Sequence, residues 1–370
     1  MNVLQLTPEL NAGGVERTTL EVAEGLINAG HSAHVVSAGG RMEDELLAMG
    51  AQLHRMDIGS KNILTYASRV RALKAIIKTH KIDIVHARSR VPAWPAVKAA
   101  KAMNVPFLAT YHGIYNAKSA LKRRYNAVMT KGPLTIANSN MTKAHIIQEH
   151  GLDPERIIVI PRGVDLSAFD PAKIKADDIA QVRQSWGAKS GETLLLLPGR
   201  LTEWKGQRVA ISALAGLGES LRLIIMGDAQ GRDSYVDALK ALIAAHGLES
   251  HIHFAAHTVN MPLMLAASDI VLSTSTEPEA FGRVAIEAQA MGKPIIASAH
   301  GGTLETVRPE QTGLWVTPAN SRELSQAIKT AMVWKDYDPA FARNHVIESF
   351  SKRQLQDKVL AVYQRLLPSK

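Results

Sequence analysis

Glu279-Ala280-Phe281-Gly282-Arg283-Val284-Ala285-Ile286-Glu287-Ala288 is the stretch that decides how this 370-residue chain is read. A short β-branched run, Ile270–Ser273, precedes it, and Val284, Ala285, Ala288 and Met291 line one side of a predicted helix over 283–291. A strand passing through a loop into a helix is the unit of a parallel α/β sheet, and ligands bind such sheets beside the carboxyl ends of the strands. Glu279 then lies in the loop and Glu287 about one turn into the helix. The amides near Phe281, Gly282 and Arg283 sit where a helix N-terminus attracts an anion. Two carboxylates flanking an anion suit hydroxyl-rich groups attached to it, because carboxylates accept hydrogen bonds from hydroxyls.

The same alternation extends outward in both directions. Predicted strands at 2–7, 32–37, 52–56, 84–87, 106–111, 134–137 and 157–160 are separated by amphipathic stretches. Strands resume at 193–197, 221–226, 251–255, 270–273, 294–297 and 314–316. The expected fold is α/β, with two Rossmann-like domains in series. Residues 1–167 read as the first domain, 168–190 as a linker with a weak helical segment near 179–186, 191–350 as the second domain, and 351–370 as a closing helix.

Two more loops have the same character. Gly13-Gly14 follows the first strand and opens the first helix, although it is not a GxGxxG fingerprint. Pro198-Gly199-Arg200-Leu201-Thr202-Glu203-Trp204-Lys205-Gly206 follows the first strand of the second domain. Arg200 offers bidentate donors to phosphate and Lys205 a mobile point charge.

Composition excludes several classes. The chain has no cysteine, so disulfides, thiol nucleophiles and thiolate metal sites are ruled out. No apolar run reaches the roughly 18 residues of a membrane span, and residues 1–7 read as a strand rather than a leader, so a cytoplasmic location is expected. No two histidines sit four apart on a predicted helix, and His31 and His34 read as ordinary strand-end residues. The net charge of +9 is uneven: residues 1–165 carry 21 basic and 13 acidic side chains (+8), and residues 166–370 carry 22 and 21 (+1). Residues 61–131 alone hold fifteen basic residues and one acid, Asp83. Leu64, Val70, Leu73, Ile76 and Ile77 beside Arg69, Arg71, Lys74 and Lys78 make a basic amphipathic helix over 64–79, the pattern of a membrane-surface element. Lys122-Arg123-Arg124 adds a second basic cluster. The clusters have little aromatic interleaving and no reading module, which argues against nucleic acid.

In order and spacing the chain resembles a family-four retaining glycosyltransferase of the GT-B fold, of the bacterial lipopolysaccharide or glycolipid type. The residues that carry the likeness are Gly13-Gly14, His86-Ala87-Arg88-Ser89, His112-Gly113, Asn138-Ser139, Pro161-Arg162-Gly163-Val164-Asp165, Gly199-Arg200, Lys205-Gly206, Gly227-Asp228, Glu279 with Glu287, Gly301-Gly302 with Glu305, and Thr312-Gly313. By that resemblance the two Rossmann-like domains face a central cleft, the closing helix 351–370 packs back toward the first, the second domain holds a nucleotide-sugar donor, UDP- in preference to GDP-, and the first presents a glycan or lipid-linked acceptor. Arg200 and Lys205 would neutralise the donor diphosphate, with Gly199, Gly227, Asp228, Phe281, Gly282 and Arg283 around it. Glu287 would bind ribose hydroxyls and Glu279 the transferred sugar. Gly13 and Gly14 would approach the diphosphate, and His112 the sugar near its reacting carbon. No metal or other cofactor is implied, because fixed cations and amides can stabilise the leaving group. Ala280, Arg283 and Ala229 depart from the commonest family residues and bear on donor preference. The other readings are a nucleotide-sugar 2-epimerase and a non-enzymatic basic membrane-binding protein on the same scaffold.

Overall fold

The computed structural model describes residues 1–367, apart from 12, 116, 219, 257 and 259. The chain divides into two compact units: Met1–Gly163 with Lys352–Lys370, and Val164–Ser351.

The first unit holds a parallel sheet of β1 (Asn2–Leu6), β2 (Ser32–Ser37), β3 (Gln52–Arg55), β4 (Ile84–Ala87), β5 (Phe107–Tyr111), β6 (Thr135–Ala137) and β7 (Ile157–Val159). Their order is β3-β2-β1-β4-β5-β6-β7, so the winding reverses between β1 and β4. Strands covered on both faces read as near-continuous apolar runs, and alternate residues of β1 do enter different clusters. Leu4 and Leu6 pack with Leu73 and Ile77, and Val3 packs with Leu20 and Leu26. The helix Lys352–Leu366 belongs to this second cluster through Leu355, Val359, Val362 and Tyr363, and it packs on the helix Gly14–Asn28. Tyr363 is fully buried, with its hydroxyl 2.7 Å from His86 Nδ1.

The second unit repeats the plan with β8 (Thr193–Pro198), β9 (Leu221–Met226), β10 (Ile252–Ala255), β11 (Ile270–Ser273), β12 (Ile295–Ser298) and β13 (Gly313–Val316), ordered β10-β9-β8-β11-β12-β13 and parallel throughout. Its winding reverses between β8 and β11, where doubly wound sheets open a crevice at the strand ends.

Three segments differ from expectation. Residues 168–190, expected as a linker with a weak helical segment near 179–186, are packed rather than free. They contain the helix Ala176–Ser185, and Ile179, Val182 and Trp186 pack in one cluster with Leu194 and Leu196. Arg183 ties the segment down, donating to the carbonyl of Ala267 at 2.9 Å. The helix Pro339–Ser349 was not anticipated. Asp338 caps it by accepting from Ala340 N at 2.8 Å, Pro339 occupies its first turn, and Val346 packs with Phe281, Ile286 and Phe350. The predicted helix 64–79 begins only at Tyr66. Leu64 sits in the preceding tight turn, Ile63–Thr65, and is 90% exposed, whereas Leu73 and Ile77 face the core. Among the described residues no helix is long and apolar enough to cross a membrane.

Candidate active site

At the β8–β11 reversal, three loops converge beyond the carboxyl ends of the strands. The first leaves β8 through Gly199 and Arg200 and tightens into the turn Glu203–Lys205 before the helix Gln207–Leu214. Gly206 closes that turn at φ 74°, a left-handed conformation, and a Cβ there would overlap the carbonyl oxygen of Thr274 just after β11. Thr276 N donates to Trp204 O at 2.7 Å, so the two loops are joined backbone to backbone. The third loop, after β12, lies under the 279–282 segment, where Gly302 N donates to Glu279 O at 2.7 Å.

The loops bring Lys205 and Glu279 together although 74 residues separate them. Lys205 Nζ is 2.7 Å from Glu279 Oε1, and both side chains are mostly buried. Ser275 Oγ donates to the same carboxylate oxygen. Burial pushes the Glu279 carboxyl up, but Lys205, the Ser275 hydroxyl and the nearby His300 outweigh it and hold the group below its ordinary value, so it is ionised at neutral pH. His300 is itself fixed, with Nε2 2.9 Å from Ser275 O. Lys205 Nζ also lies 4.6 Å from the centre of the Trp204 ring, and the Arg200 guanidinium 5.9 Å from it, so both cations lie within cation–π reach of one indole. Arg200 itself is exposed, and its carbonyl accepts from Gln207 Nε2 at 3.0 Å.

Phe281 is buried, and Gly282 is the N-cap of the helix Arg283–Ala290. Arg283 Nε donates to Glu287 Oε1 at 3.1 Å, across one helical turn. Glu287 is therefore paired, like Glu279. Gly227 packs against the Gly199 backbone after β9, and Asp228 is exposed, its carboxylate accepting from Gln230 N at 2.8 Å.

The first unit has a separate cluster beyond β1 and β5. Gly13 caps the helix Gly14–Asn28, and a Cβ on Gly14 would overlap Arg162 Nη1. Only glycine lets the guanidinium lie this close to the backbone. Arg162 Nη2 donates to His112 O at 3.3 Å and is 3.5 Å from His112 Nδ1. His112 is buried, and burial first, with Arg162 and Arg88 adding repulsion, holds it neutral, well below its ordinary value. Its Nε2 is buried without a hydrogen-bond partner among the described residues. Glu16, beside the same turn, is raised by burial against the pull of Arg162. His86 and Arg88 are buried in the core of this unit instead: His86 bonds Tyr363 and Thr110, and Arg88 donates to Gln5.

Four participants carried no assigned role in the sequence: Arg162, Ser275, His300 and Trp204. Arg162 stands within a motif that carries the resemblance and Trp204 within the 198–206 loop, and Ser275 lies four residues before Glu279 in the same loop, but only the fold brings His300 to Glu279. The chain does contain an Asp-x-Asp pair, Asp336 and Asp338, the spacing of a carboxylate metal clamp. Asp338 is spent as the cap of the helix Pro339–Ser349, outside the loops described above.

Comparison with known proteins gives a consistent result. The family model for Glycosyltransferase Family 4 matches residues 12–168, and that for Glycosyl transferases group 1 matches residues 178–344. A crystal structure of a glycosyltransferase from Rickettsia africae is similar, with a TM-score of 0.92 and 36% identity, covering 100% of this chain and 99% of that one. Anabaena Alr3699/HepE, solved in complex with UDP and glucose, has a TM-score of 0.86 and 26% identity, covering 98% and 99%. An uncharacterized glycosyltransferase of Methanocaldococcus jannaschii, MJ1607, is 24% identical over 375 residues, which is 96% of this chain and 95% of that protein.

Proposed function

This chain belongs to the family 4 glycosyltransferases of the GT-B fold, and from that premise we propose that it moves a hexose from a nucleoside-diphosphate sugar, UDP- in preference to GDP-, to a lipid-linked or glycan acceptor with retention at the anomeric carbon. One observation supports the donor assignment: Lys205 pairs with Glu279 and shares the Trp204 ring with Arg200, on loops that follow β8 and β11 at the sheet reversal. UDP bound to the similar Anabaena protein supports the choice of base.

Cleavage of the glycosyl–phosphate bond leaves its electron pair on the diphosphate oxygen and positive charge on the sugar ring. Lys205 and Arg200 stabilise the first charge, held in place before reaction by Trp204 and Glu279. The ionised Glu279 also accepts from sugar hydroxyls, and Glu287, oriented by Arg283, accepts from the ribose. The new bond forms from an acceptor hydroxyl, whose proton leaves with the departing phosphate. In the first unit, the neutral His112 offers Nε2 to a sugar hydroxyl. No divalent metal enters this scheme.

The basic first unit suits an acceptor presented at an anionic surface. Ile63 and Leu64 are 86% and 90% exposed beside Lys61, and Leu121 is 81% exposed beside Lys122, Arg123 and Arg124. Tyr66 bonds the Trp94 carbonyl at 3.2 Å, and Trp94 stacks on Tyr125, one helical turn from Leu121. Exposed apolar groups among cations favour a peripheral position on a membrane. The test has two arms. Acceptor-dependent release of UDP, with product stereochemistry read by NMR, tests the transfer; an absence of release with every nucleotide sugar refutes it. Flotation with anionic liposomes tests the surface, and binding that Leu64→Glu/Leu121→Glu leaves intact refutes that part.

A further inference from the structure

Away from both clusters, three histidines from distant parts of the first unit meet at one point. His34 on β2, His54 on β3 and His80, the residue closing the helix Tyr66–Thr79, present ring nitrogens that all lie within 4.8 Å of one another. The register explains the meeting. His54 stands opposite Val36 across the β2–β3 ladder, so His34, two residues before Val36, shares a sheet face with His54. The helix covers that face, because Leu73 and Ile77 share an apolar cluster with Val36, and its last turn delivers His80. The His34 and His54 rings are nearly parallel, at 12°, with Nδ1 and Nε2 3.1 Å apart, and the His80 ring lies 4.9 Å and 4.8 Å from theirs.

The group contains no carboxylate to share a proton with. Burial and mutual repulsion hold His34 at about 4 and His54 below its ordinary value, so at neutral pH both rings are in the form that ligates metals. A nitrogen pair 3.1 Å apart is close to an edge of the tetrahedron that bonds of about 2.0–2.1 Å would make. The carbonyl end of a helix beside His80 adds negative potential, which favours a cation.

We propose that His34, His54 and His80 form a site for a borderline-soft divalent cation of the zinc class, clamping the edge strand β3 and its neighbour β2 to the helix that covers them. Three imidazole nitrogens leave a fourth position for water. The proton shared by His34 Nδ1 and His54 Nε2 moves to the outer nitrogen of its ring on ligation, with no net release.

The full chain, free of any polyhistidine tag and stripped with chelator, is titrated with Zn²⁺ against a chromophoric competitor and with Co²⁺ followed by visible absorption. The expected result is about one equivalent of metal, with the intense bands of four-coordinate Co²⁺. His54→Ala and His80→Asn each weaken binding by about 10-fold or more. His80→Asn replaces a half-buried helix-end residue by a smaller polar one, and far-UV circular dichroism checks that each variant is folded. The proposal is overturned if the wild type takes up no stoichiometric Zn²⁺, or if both folded variants bind as tightly as the wild type. The second result would trace the uptake to the other eleven of the 14 histidines. Neither outcome bears on nucleotide-sugar transfer.

Discussion

Replacing Lys205 by alanine strands the carboxylate of Glu279 in a site that is largely closed to water. Breaking a fully buried pair costs about 3–5 kcal/mol, because the surviving charge stays buried. The side chains here keep 15% and 13% of their exposure, and Ser275 and His300 still serve the carboxylate. That discount leaves a loss of about 2–3 kcal/mol for the second unit at neutral pH. The loss depends on pH. In the wild type the folded Glu279 titrates below its ordinary 4.5, so the stability it contributes is complete above that value and disappears as pH falls through the lowered one. In Lys205→Ala the dominant remaining influence is burial, which raises the group, so the variant is penalised only while Glu279 is ionised. The gap between wild type and variant is therefore widest at neutral pH and narrows as the medium is acidified. Urea unfolding followed by tryptophan fluorescence reads the relevant unit, because four of the five tryptophans, at 186, 204, 315 and 334, lie within it. A gap of the same size at pH 7 and pH 4, or the absence of a gap, refutes the reasoning. Glu279→Gln in the Lys205→Ala background restores most of the loss.

Gly14→Ala forces Arg162 aside and lowers transferase turnover by about 10-fold or more, whereas Gly247→Ala, with open space around its Cβ, costs about 1 kcal/mol of stability and leaves turnover unchanged. Equal turnover in the two variants would count against a role for the 13–14 turn. His112→Ala lowers kcat by about 10²-fold, and because the native ring is already neutral, the wild-type rate shows no titration assignable to it between pH 6 and pH 8. A rate inflection in that range that disappears in the variant contradicts this. Addition of Mg²⁺ or Mn²⁺ to chelator-treated enzyme leaves the initial rate unchanged, and a rate restored by either ion would assign the diphosphate to a metal. Asp338→Ala removes a helix cap and destabilises the second unit by about 1 kcal/mol in urea unfolding, with donor binding intact.

The parallel sheets were legible because β-branched and leucine-rich runs buried on both faces leave a continuous apolar trace, and glycines mark the turns beyond them. The 279–288 segment was legible for the same reason: its strand, loop and helix are adjacent in the chain. The pairing of Lys205 with Glu279 was not, because 74 residues separate them and only the β8–β11 adjacency brings them within bonding distance. Arg162 stood in a quoted motif, yet its contact with Gly14 depends on a sheet that joins residues nearly 150 positions apart. The helix Pro339–Ser349 escaped notice because its apolar residues make a weak stripe, although Asp338-Pro339 is a helix-start signal. The apolar residues between 168 and 190 were diluted by charge, and the cluster that receives Trp186 is built from strands still to come in the sequence. Leu64 fits the 3.6-residue spacing of the helix that follows, but Asn62 caps a tight turn first and turns that side chain outward.

The closing helix Lys352–Leu366 has a consequence for how the polypeptide is made. It supplies buried Tyr363 and three buried aliphatic side chains to a nucleus whose other buried members lie between Val3 and Ile160. Residues 164–351 are therefore complete on the ribosome while the first 163 still lack a wall. During that interval the flank of the helix Gly14–Asn28 that the closing helix covers stays open, and a nonsense mutation near codon 350 would leave the half of the protein made first without that cover.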